Sequence, residues 1–324
     1  MNLKSTFALL AVAVAGLFSS CTPSYPDPAT TKPSYLVLEM TSGRILYSQN
    51  ATQKRPIGML ANVATAVVAL DWIQNSHIDT SRLIAVPSLV QQWPGTNLLK
   101  LKPGDRISVR DALYSTLLWD DSSAAATLAM ACGYSLNPSD PQGAFTQQMN
   151  LLARKQLNMS STYFKGVTGA TVTQSSARDM ALLAMYATQN PAIINITSQR
   201  SAVVTIQGAD GTSRNVTVTN TNRLLNAGSG VVGLKAARSH TAGACLMGSA
   251  KRASVKLYNP FSGREETFAQ CLVLVQLGMP DSQSRYSAAT QFLRDGWTEW
   301  ENWQKTGDIS DPHKFLKLPT NPSK

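Results

Sequence analysis

The sequence predicts an α+β fold. Three observations carry this: β-favouring runs between residues 35 and 48, a central block of helical periodicity between residues 109 and 189, and a return to strands closed by one long helix near the C-terminus. With 324 residues, 43% apolar composition and 15% charged side chains, the chain is rich enough in apolar residues to bury a sizeable core and too poorly charged to be disordered.

The chain opens with Lys4 ahead of an apolar run from Phe7 to Phe18, followed by Ser19, Ser20 and Cys21, the layout of a signal peptide over residues 1–20. The run is too short for a stable membrane span. Leu17-Phe18-Ser19-Ser20-Cys21 looks like a bacterial lipobox, in which Cys21 is lipidated and becomes the new N-terminus; the competing reading is an ordinary thiol beside a cleavage site. Residues 22–33 hold four prolines and little that is apolar, so residues 21–33 are expected to act as a tether.

Tyr35–Met40 and Ile45–Ser48 read as a hairpin, with Gly43 free to take a positive φ in the turn. After Pro56, Met59, Leu60, Val63, Val67, Leu70 and Trp72 recur at helical steps, and the pattern ends over Asp71–Asn75. Residues 84–110 read as strand and loop, with a turn at Pro103-Gly104-Asp105. Helices are predicted over Val109–Leu118, Ser122–Gly133, Ala144–Leu157 and Ser176–Gln189. Strands follow at Ala202–Gln207, Asn215–Val218, Ala242–Ala250 and Phe268–Leu277, then a helix from Ser284 to about Trp303. If the first hairpin pairs with the last strands, one antiparallel sheet is built from both chain ends, the middle helices form a separate lobe, and a cleft lies between them.

Beyond residue 20 the chain holds 28 basic against 19 acidic side chains. That bias suits an anionic envelope polymer or membrane surface, or simply solubility, and no aromatic-interleaved basic run points to nucleic acid. The histidines are His77, His240 and His313, with no metal-ligand spacing, and no cofactor motif is visible. Beyond Cys21 the cysteines are Cys132, Cys245 and Cys271, an odd number, so buried thiols are expected, with a Cys245–Cys271 bridge as the alternative.

Several stretches fall in one order. These are the hairpin and Arg55-Pro56 before a helix, Leu101-Lys102-Pro103-Gly104-Asp105, Ser176-Ala177-Arg178-Asp179-Met180, Thr219 to Leu225, and Ser284-Arg285-Tyr286. Over residues 34–303 the chain thereby resembles the low-molecular-weight penicillin-binding proteins of the D-alanyl-D-alanine carboxypeptidase family. The resemblance implies a penicillin-binding, transpeptidase-like domain acting on peptidoglycan stem peptides. Family members often continue into a second β-rich domain and an amphipathic membrane helix, whereas residues 304–324 here read as a polar tail.

The family reaction needs Ser-x-x-Lys at a helix start, Ser-x-Asn on the helical lobe and Lys-Thr-Gly on a sheet strand. Aligned without a gap, the serine position is Met59 and the lysine position is Asn62. A thioether forms no acyl ester, and a carboxamide is no base near neutral pH. The second motif maps onto Asp120-Asp121-Ser122, and the third onto Lys235-Ala236-Ala237, which keeps only its lysine. No Ser-x-x-Lys occurs elsewhere in the chain; Thr162–Lys165 has the spacing but reads as a strand-like stretch.

The leading expectation is therefore a lipid-tethered envelope pseudoenzyme that binds stem peptides or an envelope protein through a cationic edge of Lys235, Arg238 and Ser239. The enzymatic alternative uses Ser122 with Asp120 or Asp121, or Ser239 with His240. Against it, Ser122 suits a helix N-cap, and adjacent residues of a strand point to opposite faces. A third reading is a purely structural lipoprotein whose cleft is filled by side chains such as Met59 and Trp119.

Overall fold

The computed structural model describes residues 27–28, 30–228, 230–259, 264–306 and 310–319. The expected signal peptide, the expected lipidation site Cys21 and the first part of the expected tether lie outside the described residues.

The strands run β1 (Ser34–Glu39), β2 (Ile45–Gln49), β3 (Arg55–Pro56), β4 (Leu83–Ala85), β5 (Arg106–Ser108), β6 (Gln174–Ser175), β7 (Ser201–Gln207), β8 (Ser213–Thr219), β9 (Val231–Ser239), β10 (Gly243–Asn259) and β11 (Arg264–Met279). The helices are α1 (Asn62–Asn75), α2 (Val109–Leu118), α3 (Ser122–Leu136), α4 (Pro141–Leu151), α5 (Ala177–Gln189), α6 (Pro191–Thr197) and α7 (Ser282–Thr306).

The main sheet has the order β2-β1-β11-β10-β9, and β1 pairs antiparallel with β11 from Ser34 opposite Leu277 to Glu39 opposite Leu272. The two ends of the chain thus meet as expected. The β1–β2 turn is held from below by Glu39, whose buried carboxylate accepts hydrogen bonds from the Thr41 and Ser42 amides at 3.0 and 2.8 Å. Gly43 takes φ 77° there, and a Cβ on it would lie 2.5 Å from the Leu316 carbonyl oxygen.

β7 and β8 do not join this sheet. They form a second sheet, β4-β5-β7-β8, with the short strands of the middle region. Ile107 faces Ile206 across β5 and β7, both fully buried, and the Thr205 amide donates to Asp111 Oδ2 at 3.0 Å.

The middle helices pack on the main sheet as expected, through a core they share with it. Leu36 and Leu38 of β1, Val273 and Val275 of β11 and the buried faces of α1 through α6 belong to one continuous apolar cluster. On the opposite face of the sheet, α7 packs Ala289, Leu293, Trp297 and Trp300 against Val37, Leu246, Leu272 and Leu274. Alternate strand residues serve the two clusters, as the period of two requires.

Helix starts follow their capping residues: Ser108 accepts from the Asp111 amide, Ser176 from Asp179 and Asp140 from Gly143. Each such cap contributes about 1 kcal/mol. Near α3 the cap is Asp121, and Ser122 is the first helical residue instead of the expected cap. Thr162–Lys165 is irregular rather than strand-like. Cys132, Cys245 and Cys271 are buried free thiols; Cys245 faces Ala237 while Cys271 faces Lys251, positions too far apart along the strands for a bridge.

Both flanking segments are docked. Arg55 Nε donates to Ser34 Oγ at 2.9 Å, Nη1 to Thr31 Oγ1 at 3.2 Å and Nη2 to the Lys32 carbonyl. Pro28 sits so close to Gly243 that a Cβ there would lie 2.7 Å from its side chain. Residues 27–28 and 30–33 are therefore held along the end of the sheet. At the other terminus α7 extends to Thr306, and the Leu316 amide donates to the Gly43 carbonyl at 2.8 Å. Leu316 itself is buried, and Arg44 lies over the Trp303 and Phe315 rings, which meet edge-to-face, so residues 310–319 are a strap rather than a polar tail. Among the described residues no helix is long and apolar enough to cross a membrane.

Candidate functional site

Met59 lies in a 3₁₀ turn, Gly58–Ala61, that leads directly into α1. Asn62 begins that helix fully buried; its Oδ1 accepts the Gly169 amide at 3.1 Å and its Nδ2 lies 3.5 Å from the Thr116 carbonyl. Gly169 approaches so closely that a Cβ on it would lie 2.3 Å from Met59 Cα. The start of α1 is thus packed against a neighbouring loop.

Ser122 faces Met59 across the mouth of α3, with Oγ 3.9 Å from the Met59 sulfur and 3.4 Å from Thr96 Oγ1. It is only 1% exposed, because Gly95, at φ 107°, lies over it; a Cβ on Gly95 would fall 2.3 Å from Ser122 Oγ. The Asp121 carboxylate is engaged by the Leu99 and Ala124 amides, each at 2.7 Å. Burial pushes the Asp121 carboxyl up, and these amides oppose that shift.

Asp120 and Lys235 meet between the helical layer and the sheet. Lys235 Nζ lies 2.5 Å from Asp120 Oδ1 and donates to the Leu117 carbonyl at 2.7 Å, and the lysine side chain has no solvent exposure. Asp120 takes φ 61°, an αL conformation that its short polar side chain tolerates, and its carbonyl accepts from Thr96 Oγ1 at 2.5 Å. Burial raises the Asp120 carboxyl, while the Lys235 ammonium, Thr221 and Arg285 pull the other way.

The cationic edge expected from Lys235, Arg238 and Ser239 is therefore split. Lys235 points inward to Asp120, whereas Arg238 and Ser239 are exposed at the end of β9, where Ser239 Oγ accepts the Ala242 amide at 3.0 Å. His240 lies beyond the strand in the turn. Arg238 borders a groove of about 530 Å³ with Trp119, Thr221, Arg223, Arg285 and Tyr286. Arg285 is buried, and its Nη1 donates to the Ala237 and Cys245 carbonyls at 2.8 and 3.1 Å, stapling α7 to β9 and β10.

The Asp120–Lys235 pair and the Arg223–Arg285 groove were not singled out from sequence. One signal was present: an acid at the first position of the second motif and a retained lysine in the third, two places that the resemblance brings together.

The sheet with its capping helices and this cleft define the penicillin-binding, transpeptidase-like fold. The Streptomyces DD-transpeptidase superposes with a TM-score of 0.68 at 22% identity, covering 85% of this chain and 98% of that one. A penicillin-binding protein from Listeria monocytogenes gives 0.64 at 24% identity, over 85% of this chain and 99% of that one.

Residues 21–259 match the D-alanyl-D-alanine carboxypeptidase family of peptidases, and the chain belongs to it. A D-alanyl-D-alanine endopeptidase of Escherichia coli is 28% identical over 258 residues, 76% of this chain and 77% of its own. D-alanyl-D-alanine carboxypeptidase DacF of Bacillus subtilis is 24% identical over 225 residues, and this chain spans 69% of itself and 55% of DacF in that match.

Proposed function

We propose that this protein is a non-hydrolytic member of the family, held in the cell envelope, that binds a carboxylate-bearing peptidoglycan stem peptide or a partner protein of cell-wall metabolism. The observation that carries this reading is the Asp120–Lys235 ion pair beside a Met59 and Asn62 helix start. Acyl transfer needs a hydroxyl or thiol with a base within hydrogen-bond reach. Here the Ser122 hydroxyl borders a thioether and Thr96, and its neighbouring carboxylates are engaged elsewhere. No specific contact favours a Ser239–His240 pair.

Binding without cleavage draws on the groove beside Arg238, where Arg223 and Arg238 offer exposed guanidinium groups and Trp119 offers an aromatic wall. A terminal carboxylate is well matched to a planar guanidinium. Lys235 is neutralised by Asp120 and takes up a ligand carboxylate only if Asp120 releases it. Lipidation of Cys21 would anchor the chain, and a Cys21→Ala protein should then leave the membrane fraction.

The test is titration of residues 22–324 with a D-Ala-D-Ala-terminated peptide while free D-alanine is measured. The reading predicts saturable binding, weakened at least tenfold in Arg238→Ala, with no D-alanine release. Release at a rate abolished by Ser122→Ala would establish the enzymatic alternative.

A further inference from the structure

On the face of the helical region away from Lys235, the ends of α1, α3 and α4 enclose a second cavity of about 210 Å³. Asp71 and Trp72 enter it from α1, Cys132 and Leu136 from α3, and Gln148 and Gln156 from α4 and the turn that follows. That turn, Leu152–Gln156, is π-helical. Such turns give up regular helix geometry and recur at functional sites.

Asp71 is the cavity's ionisable side chain that bears a charge at neutral pH. It is partly buried, and none of the ion pairs among the described residues reaches it. It also stands towards the C-terminal end of α1, where the helix dipole disfavours negative charge. Burial holds its carboxyl above the ordinary range, with no neighbouring cation to offset that, and the nearby Tyr186 phenol is raised first by its own burial and then by the Asp71 charge. A partly buried carboxylate with no ion-pair partner carries an unrelieved desolvation cost, and a cation bound against it relieves that cost.

The walls fit a cation with an apolar body. Trp72 presents an aromatic surface, Leu136 is 47% exposed at the rim, and Val68 and Leu152 complete the apolar side. An aromatic ring beside an ammonium adds cation–π attraction to the charge pairing. The Gln148 and Gln156 side-chain carbonyls offer further acceptors for ammonium N–H groups.

We propose that this cavity binds a small primary alkylammonium, its charge against Asp71 and its chain along Trp72, Leu136 and Leu152. The site is separate from the Arg238 groove and takes a ligand of opposite charge.

The experiment is titration of the folded protein with n-butylammonium, followed by the chemical shifts of the Trp72 indole and the Gln148 and Gln156 side-chain amides, with n-butanol as the neutral match. Saturable shifts are expected for the amine, at least tenfold weaker affinity for n-butanol, and at least tenfold weaker amine binding in Asp71→Asn. Leu136→Lys, a change at an exposed rim position, places a competing ammonium near Asp71 and should weaken binding in the same way. Non-saturable shifts, or equal affinity in wild type and both variants, would overturn the proposal.

Discussion

Lys235 Nζ and Asp120 Oδ1 lie 2.5 Å apart, joining a strand of the main sheet to the segment between α2 and α3. The lysine is entirely withdrawn from solvent, so its charge depends on this one carboxylate and on the Leu117 carbonyl. Removing one partner of a buried pair costs far more than removing both, because the survivor keeps its desolvation penalty.

Asp120→Asn keeps the shape and the tolerance for positive φ while deleting the counter-charge. It is expected to lower unfolding stability in urea by about 3–5 kcal/mol, and Asp120→Asn with Lys235→Met should recover most of that loss. Wild-type stability in the single variant would mean that the pair does not brace the domain.

Gly169 is expected to tolerate no side chain. Its Cβ would lie 2.3 Å from Met59 Cα and 2.4 Å from the Gly58 carbonyl oxygen, both backbone atoms. Gly169→Ala should cost about 1–3 kcal/mol in thermal or urea unfolding. Adding Met59→Ser should not restore the loss, since the clash does not involve the methionine side chain.

Asp71 gives a pH signature. Its folded-state carboxyl is raised by burial, so the folded protein holds the proton more tightly than the unfolded chain. Stability then falls as pH rises from the unfolded value, about 3.9, through the folded one, and the penalty is complete above that window. Asp71→Asn should melt higher than wild type at pH 7, with the gap closing as pH falls towards about 3. A gap that stayed constant with pH would show that Asp71 does not titrate as described.

Leu316 tests the C-terminal strap. It is 4% exposed and bonded through its amide to the Gly43 carbonyl. Leu316→Ala should cost about 2–4 kcal/mol, as for other buried leucines. An effect within a few tenths of a kcal/mol would return residues 310–319 to the status of a loose tail.

Periodicity carried the long elements. The hairpin with Gly43 at its turn, α1, α2, α5 and α7 could be read because each repeats its apolar spacing over at least one full turn or alternation. The β5–β7 pairing could not, since β5 has only three residues and its partner lies far along the chain. α6 spans seven residues after Asn190-Pro191, too few to establish a period. The strap rests on Phe315, Leu316 and Leu318, three apolar side chains in a mostly polar segment, and gains meaning only from the core and the Arg44 and Trp303 side chains opposite.

At the site, the family resemblance located Met59 and Asn62, because the Ser-x-x-Lys spacing fixes which residues occupy those places at the helix start. It did not reveal that Lys235 is consumed by Asp120, a partnership made by tertiary packing between distant residues. The same packing left Arg238 as the solvent-facing cation of the three-residue edge.

The proposed non-hydrolytic role requires that no nucleophile in this cleft accepts an acyl group. Residues 22–324 incubated with excess penicillin, beside an active D-alanyl-D-alanine carboxypeptidase as control, should give an unchanged intact mass while the control gains one penicilloyl group. A stoichiometric adduct on this protein, mapped to any side chain lining the cleft, would contradict the account and identify the nucleophile.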